Sequence, residues 1–418
     1  MNREIAAGVT TFFTMAYIVV VNPLILATEG TGMPFSGVMT ATVLIAASMT
    51  LAMGLYARLP YAVAPGMGIN AFFTFGIVLG MKVPWPTALG MIFWAGIFFV
   101  VVSATGLRVA IARAIPDNLR AATAVGIGIF LTFIGLKGAG VIDKDPHTFV
   151  KLGHLDLRAL LVLGGVVLAV GLLKRKSPLA FLASIAAITV LSIPLGLAKL
   201  PEHVVSAPDF SLVGKADIGG ALRLSLLPAI VAILLTDLFD SISTFIGVSR
   251  AAGLVDDKGE PLRLREGLLV DAFATLGAGL VGTSSGTAYI ESAAGVEVGG
   301  RTGKTSIVTA LCFLPCLFLG PLAAVVPEHA TAPVLVIVGA LMFRTVKSIE
   351  TEHLEDAVPA YVTLVLIPLT FSITQGILWG FVAHALLYSV AGRVREVKPA
   401  TWALAGVAIA LLAIERLT

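Results

Sequence analysis

Apolar stretches of roughly 15 to 24 residues, each closed by charged, glycine or proline positions, recur along the whole chain. A helix rises about 1.5 Å per residue, so about 20 apolar residues cross a bilayer's hydrocarbon. The pattern predicts helical spans near 6–26, 38–56, 67–81, 86–106, 119–138, 157–173, 179–197, 225–248, 266–281, 288–298, 305–325, 332–346, 357–373 and 375–391. A last apolar stretch, 400–415, suits either an interfacial helix or a fifteenth span. The first stretch is too long for a signal-peptide core and lacks a small-residue cleavage site, so it is expected to stay in the protein.

Two spans are short and glycine-rich. One runs Ala64-Pro65-Gly66-Met67-Gly68-Ile69-Asn70-Ala71-Phe72-Phe73; the other runs from Gly282 through Ser285, Gly286, Thr287, Tyr289 and Glu291 to Gly295. They lie about 220 residues apart, and similar lead-ins precede them, Ala52-Met53-Gly54-Leu55 and Gly277-Ala278-Gly279-Leu280. Seven spans separate the copies, an odd number, so the second is inverted. Paired broken helices in inverted repeats mark a transporter's binding site. Each would start near the midplane, with free N–H groups and a positive dipole end pointing at the other.

Composition excludes the soluble alternatives. Of 418 residues 57% are hydrophobic and 13% charged, with a mean hydropathy of +0.98. Soluble domains carry about 25% charged residues. A water-soluble enzyme, a disordered chain and a disulfide scaffold are all ruled out; Cys312 and Cys316 read as small buried hydrophobes. The net charge of +3 is small, so its placement matters more. With the N-terminus inside, basic clusters at Arg108, Arg113 and Arg120, at Lys174 to Lys176, at Arg250 to Arg265, at Arg301 and Lys304, at Arg344 and Lys347, and at Arg393 to Lys398 all fall inside. That bias places the protein as a multi-pass chain of the cell inner membrane with a cytoplasmic N-terminus.

Glu266 and Glu297 fall at span edges, and four acids sit further inside the spans: Asp237, Asp240, Asp271 and Glu291. Each costs about 2.5–3.5 kcal/mol on insertion scales, so intramembrane acids are functional candidates. Asp237 and Asp240 share a helix face. Glu291 lies near the start of the second broken helix; Asn70 holds a comparable place in the first, followed by Phe72 and Phe73. A carboxylate accepts parallel N–H bonds, helix-start N–H groups donate to a carbonyl, and an aromatic ring stacks on a flat ring. Together they complement a planar heterocycle with adjacent donors and acceptors, which describes a nucleobase. A buried carboxylate also exchanges protons near neutral pH, which makes it a coupling site.

Other motifs fail. Gly299-Gly300-Arg301-Thr302-Gly303-Lys304-Thr305 lacks a phosphate loop's first glycine, which falls at Val298. The six histidines are scattered, and no His-Glu-x-x-His occurs. No metal site, cofactor or nucleic-acid partner is expected, and no nucleophile–base pair suggests an enzyme.

The sequence resembles the adenine/guanine/hypoxanthine permease family, the purine branch of the nucleobase–ascorbate transporter superfamily. The match is carried by Thr10 to Ile18 with Asn22-Pro23, by Ala64 to Phe73, by Asp237-Leu238-Phe239-Asp240, and by Tyr289 to Gly295 with Gly299 to Gly303. The resemblance implies an all-α membrane fold of fourteen spans in two inverted repeats of seven. Residues 1–116 (spans 1–4) and 225–326 (spans 8–11) would form a core domain. Residues 117–199 (spans 5–7) and 327–391 (spans 12–14) would form a gate domain. Residues 200–224 would be an extracytoplasmic loop and 392–418 a C-terminal segment. The family's binding acids fall on Asp240 and Glu291, its binding asparagine on Asn70, and an acid of related xanthine permeases on Asp271. Phe72, Phe73 and Thr287 complete the expected substrate contacts; Asp240, Asp237 and Asp271 are the expected proton-coupling set.

Two departures adjoin this site: Ser243 replaces a usual glycine after Asp240, and Gly286 and Ala288 break a usual threonine run. The implied activity is import of guanine, hypoxanthine or adenine by proton symport, with alternating access between core and gate. A uracil- or xanthine-type permease and an anion transporter of the same fold are the alternatives. Two carboxylates at the half-helices argue against anions. Relatives dimerise through their gate domains, so a homodimer in membrane lipid is expected by analogy.

Overall fold

The computed structural model describes residues 2–105, 115–257 and 260–417; Arg108, Arg113 and Lys258 of the charge pattern lie outside them. Helices α1 (Asn2–Met15) and α2 (Ile18–Leu26) form one apolar stretch broken by a turn at Ala16 and Tyr17. Helix α3 (Phe35–Ala52) continues as a wide π turn through Ala57. Strand β1 (Val63–Pro65) feeds the short helix α4 (Met67–Ala71), which widens into a π-helix over Phe72–Gly80. Then come α5 (Trp85–Ala104), α6 (Asp117–Gly138), a hairpin of β2 (Ile142–Asp145) and β3 (Phe149–Leu152), α7 (Leu157–Lys174) and α8 (Ala180–Ser192). The second half holds α9 (Leu227–Ala252), α10 (Leu264–Val281), strand β4 (Gly286–Ala288), α11 (Ser292–Val298), α12 (Gly303–Phe313) and α13 (Gly320–Ala324). It closes with α14 (Glu328–Phe343), α15 (Leu354–Thr370), α16 (Ile373–Val390) and α17 (Pro399–Leu417).

Among the described residues, eight helical stretches are long and apolar enough to cross a bilayer, and four shorter apolar ones accompany them. Local chemistry sets many boundaries. Asp117 in the first turn of α6 and Lys137 in its last complement the helix dipole. Asp156 caps α7 by accepting from the Ala159 N–H, and Ser372 caps α16 by accepting from Gln375. The stretch read as one span over 305–325 is broken: Pro315 has no N–H to donate, α12 gives way to a 3₁₀ turn at Leu314–Phe318, and a second helix restarts beside Pro321.

The all-α reading needs one amendment, since two short antiparallel ladders occur among the described residues. The β2–β3 hairpin is mostly exposed at one end of the molecule. The other is central: β1 pairs with β4, Val63 opposite Ala288 and Pro65 opposite Gly286. The Gly66 N–H donates to Ser285 O (2.8 Å) and the Tyr289 N–H to Ala62 O (2.9 Å), extending the ladder. Non-helical backbone can exist at membrane depth only where its polar groups are paired within the protein. Each glycine-rich break satisfies the other, which is why they occur as a pair.

The helices pack in two groups. In the first, α1 lies on α11 and α12, α3 on α2, α10 and α12, and α5 on α9 and α10. In the second, α6 lies on α14 and α15, α14 on α7 and α8, and α15 on α16. Residues 200–224 form a lid over the ends of α3, α5 and α10. Leu212 is buried there, Asp209 accepts from the Ser36 hydroxyl (2.6 Å), and Trp94 donates to Ile218 O (2.9 Å). Helix α17 runs back along α16, where Gln375 Nε2 donates to both Glu415 oxygens (2.8 Å each). Its Thr401, Ala405, Ala408 and Leu411 are buried, while Val407 and Ile409 are exposed. Its 19 residues extend about 28 Å, the length of a span.

Candidate functional site

A cavity of about 240 Å³ opens between the two helix groups. It is smaller than the ~300–1,000 Å³ of drug-sized sites and suits one small planar molecule. The first group supplies Tyr17, Met67 to Ile69, Phe239, Asp240, Ser243 and Thr287 to Glu291; α6 supplies Arg120, Thr123 and Ile127, and α14 supplies Val338, Leu341 and Met342. Exposed Thr345 and Ile290 lie at its mouth. The far end is sealed. There Lys137 Nζ stands 5.6 Å from the centre of the Phe75 ring across the two groups, and only about 20 Å³ is left among Leu24, Ile134 and Leu335.

Glu291 is the N-cap residue of α11, with Ser292 beginning the helix. Its Oε1 accepts a hydrogen bond from the Tyr17 hydroxyl at 2.6 Å. The Tyr289 hydroxyl donates to Pro65 O, which turns that ring into a fixed cavity wall. Helix α11 is held from both ends. Ser292 Oγ accepts from the Ala62 N–H (3.0 Å), while Arg301 Nη1 donates to Val296 O (2.5 Å) and Gly300 O (2.8 Å) beyond Gly299 at φ +116°. A cation on the last carbonyls of a helix complements its dipole. The motif around Arg301 is thus the C-cap of the half-helix that carries Glu291. Glu4 fastens the same loop to α1, accepting from the Arg301 N–H (3.2 Å) and the Thr305 hydroxyl.

Asp240, on α9, is open to the cavity on the same wall. Asp237 and Asp271 are not: both are fully buried behind β4. Asp271 accepts from the Ala288 N–H (2.7 Å) and the Ser241 hydroxyl, and Ser241 lies 3.2 Å from Thr287 Oγ1. Asp237 accepts from the Thr275 hydroxyl, which also reaches Gly286 O (3.0 Å). These two acids fasten the strand crossing rather than line the cavity.

The structure brings Asp240, Glu291 and Thr287 together on one wall and leaves Asn70, Phe72 and Phe73 off it. Asn70 is the fourth residue of α4, deeper than the cap position Glu291 holds. Its Nδ2 donates to Asn22 Oδ1 (3.1 Å), and Asn22 in turn reaches Thr42 (2.7 Å) and Thr283 (2.8 Å). Phe72 and Phe73 are buried in the core. Their place on the wall is taken by Phe239 and Tyr289 and by the first residues of α4, Met67, Gly68 and Ile69. The first N–H groups of a helix have no partner within it. Tyr17 and Arg120 complete the set. Tyr17 was visible only as part of the Thr10-to-Ile18 block; Arg120, paired with Asp117 at 3.2 Å, carried no local signal.

Residues 2–379 match the permease family of xanthine and uracil type. A putative permease of Methanocaldococcus jannaschii is 45% identical, covering 95% of this chain and 91% of that protein. The adenine permease AdeP of Escherichia coli is 42% identical (95% and 89%), and the guanine/hypoxanthine permease PbuG of Bacillus subtilis 38% (96% and 94%). Among solved structures, the transmembrane domain of the cyanobacterial bicarbonate transporter BicA superposes with a TM-score of 0.65 at 18% identity, covering 90% of this chain and 96% of that one. The inward-facing murine anion transporter Slc26a9 gives 0.61 at 11%, covering 94% and 69%. The fold is accordingly that of these transporters, which share an architecture of two inverted seven-span repeats. This chain belongs to the permease family of nucleobase–ascorbate transporters, whose members are carriers and not enzymes.

Proposed function

We propose that the protein imports purine nucleobases by proton symport across the cell inner membrane, with its N-terminus in the cytoplasm. The observation that carries this reading is the pair Asp240 and Glu291 on one wall of a small cavity faced by Phe239 and Tyr289. A purine's ring and exocyclic N–H groups donate to the carboxylates. Its ring nitrogens and oxo group accept from Arg120, the threonine hydroxyls or the N–H groups opening α4. Its flat faces meet the aromatic side chains. Adenine and guanine/hypoxanthine permeases both stand among the relatives, so the bicyclic purine is the shared recognition element.

The two helix groups act as core (1–116 and 225–326) and gate (117–199 and 327–391). Arg120 in the cavity wall and Arg344, next to the lining residue Thr345, support a cytoplasmic mouth under the positive-inside bias. This is then the inward-open state, with the lid of residues 200–224 outside. Movement of the core against the gate would break the Lys137–Phe75 contact and open the other side. Asp240 carries the proton. Protonation of a carboxylate in the cavity removes a charge that is costly to move through hydrocarbon, whereas Asp237 and Asp271 are committed to β4.

The test is competition of radiolabelled hypoxanthine uptake by unlabelled adenine, guanine, hypoxanthine, xanthine, uracil, ascorbate and bicarbonate. Adenine, guanine and hypoxanthine alone should compete. Competition by uracil or bicarbonate at equal concentration would refute the substrate class.

A further inference from the structure

One side chain joins the candidate site to the opposing helix group. Tyr17 sits in the two-residue turn between α1 and α2, in the middle of a 25-residue apolar stretch. The turn closes through Ala16 N–H to Phe12 O (2.7 Å) and Val19 N–H to Ala16 O (3.1 Å). Tyr17 is fully buried, so both its polar and its apolar parts have fixed partners. The hydroxyl donates to Glu291 Oε1 at 2.6 Å. The ring packs edge-on against Phe181 of α8, with centroids 5.0 Å apart and planes at 68°. Helix α1 packs on α11 and α12 in the first group; α8 packs on α7 and α14 in the second.

We propose that Tyr17 is a positioning residue that couples occupancy of Glu291 to the seating of the gate helix α8. This rests on the reading of Glu291 as the substrate's acceptor. In the empty site the hydroxyl satisfies one oxygen of Glu291, and the ring stays on Phe181. A substrate N–H arriving at the carboxylate competes for the same lone pairs. The hydroxyl then shares or yields Oε1, and the ring, rigidly joined to it, shifts on Phe181. Edge-on aromatic contacts depend on geometry, so this shift weakens the α1–α8 contact. Substrate thereby loosens the seat that holds this state, while the empty carrier keeps it.

Two conservative variants separate the parts. Tyr17→Phe keeps the ring and removes the hydroxyl; Phe181→Leu keeps the hydroxyl's bond and removes the edge-on seat. Because the hydroxyl competes with the substrate for Glu291, Tyr17→Phe should bind purine more tightly than wild type, by up to about five- to thirty-fold. Phe181→Leu should bind within about two-fold of wild type yet exchange labelled purine across proteoliposomes several-fold more slowly or more quickly, because it alters only the seat. Combined with Tyr17→Phe, it should change the exchange rate no further. Equilibrium binding in detergent, exchange rate and melting temperature are measured on all four proteins, which separates coupling from loss of folding. If Phe181→Leu matches wild type in both Kd and rate, or if the two variants' effects on rate simply add, Tyr17 is not the coupler, although the substrate reading stands. If wild type binds no purine, the substrate reading falls and the coupling with it.

Discussion

Replacing Glu291 by Gln probes the site most economically, because size is kept and only the pattern of donors and acceptors changes. In the structure Oε1 accepts from Tyr17 at 2.6 Å. A ligand's N–H shares the same carboxylate with that bond. A glutamine must choose. If its carbonyl oxygen takes the Tyr17 bond, its NH₂ faces the substrate's N–H, donor against donor. If the NH₂ turns to Tyr17, the hydroxyl must rotate to accept it, and the ligand meets a neutral carbonyl instead of a carboxylate. Either way one buried polar contact is lost or mismatched, which costs about 1–3 kcal/mol, or roughly 5- to 150-fold in affinity. The fold should tolerate the change, since α11 is held independently by Ser292 and Arg301. Purine binding to the detergent-purified variant, by calorimetry beside wild type, is the assay, with a melting curve as control. Wild-type affinity in a correctly folded Glu291→Gln protein would refute the assignment of Glu291 as acceptor.

Three further outcomes follow from packing and charge. A Cβ at Gly295 would sit 2.6 Å from Ala7 O and closer still to Thr11 Oγ1, so Gly295→Ala should part α1 from α11 and cost about 1–3 kcal/mol of stability, read as a fall in Tm. Hydrogen bonds from Ser36 and the Ser211 N–H hold the Asp209 carboxyl below its ordinary range. A depressed folded pKa stabilises above the unfolded value and loses that stabilisation as pH falls through the folded one. The protection of amides in residues 206–214, taken relative to their intrinsic exchange at each pH, should therefore fall only on acidification below the usual aspartate range, and Asp209→Asn should abolish that dependence. Because α17 runs back along α16 at span length, a tag after Thr418 should be reached by impermeant reagent on the side opposite a tag before Met1; labelling of both from one side would contradict a fifteenth span.

The paired breaks were legible because glycine-rich segments too short to cross a bilayer demand each other's backbone groups, and β1 and β4 do pair. Asp240 and Glu291 stood out because acids inside apolar stretches are costly. Residues whose orientation depends on neighbouring helices were not legible. The face of a helix that opens inside an unwound segment cannot be phased from the sequence. The widened π turn from Phe72 onward carries both phenylalanines into the core, and Asn22 draws Asn70 away from the cavity. Arg120, Val338 and Met342 come from the second helix group, and which helices face each other across a cavity is a tertiary fact. The β2–β3 hairpin and the break at Pro315 follow local turn chemistry that a hydropathy pattern averages away.

Proton-driven purine accumulation is the central claim, and proteoliposomes carrying wild type beside Asp240→Asn test it directly. With an imposed gradient, acidic outside, wild type should concentrate labelled purine inside and lose the excess when a protonophore collapses the gradient. Asp240→Asn, fixed in a form resembling the protonated acid, should bind purine and exchange it but reach only equal concentrations on the two sides. Uphill accumulation by Asp240→Asn, or gradient-independent uptake by wild type, would contradict the account.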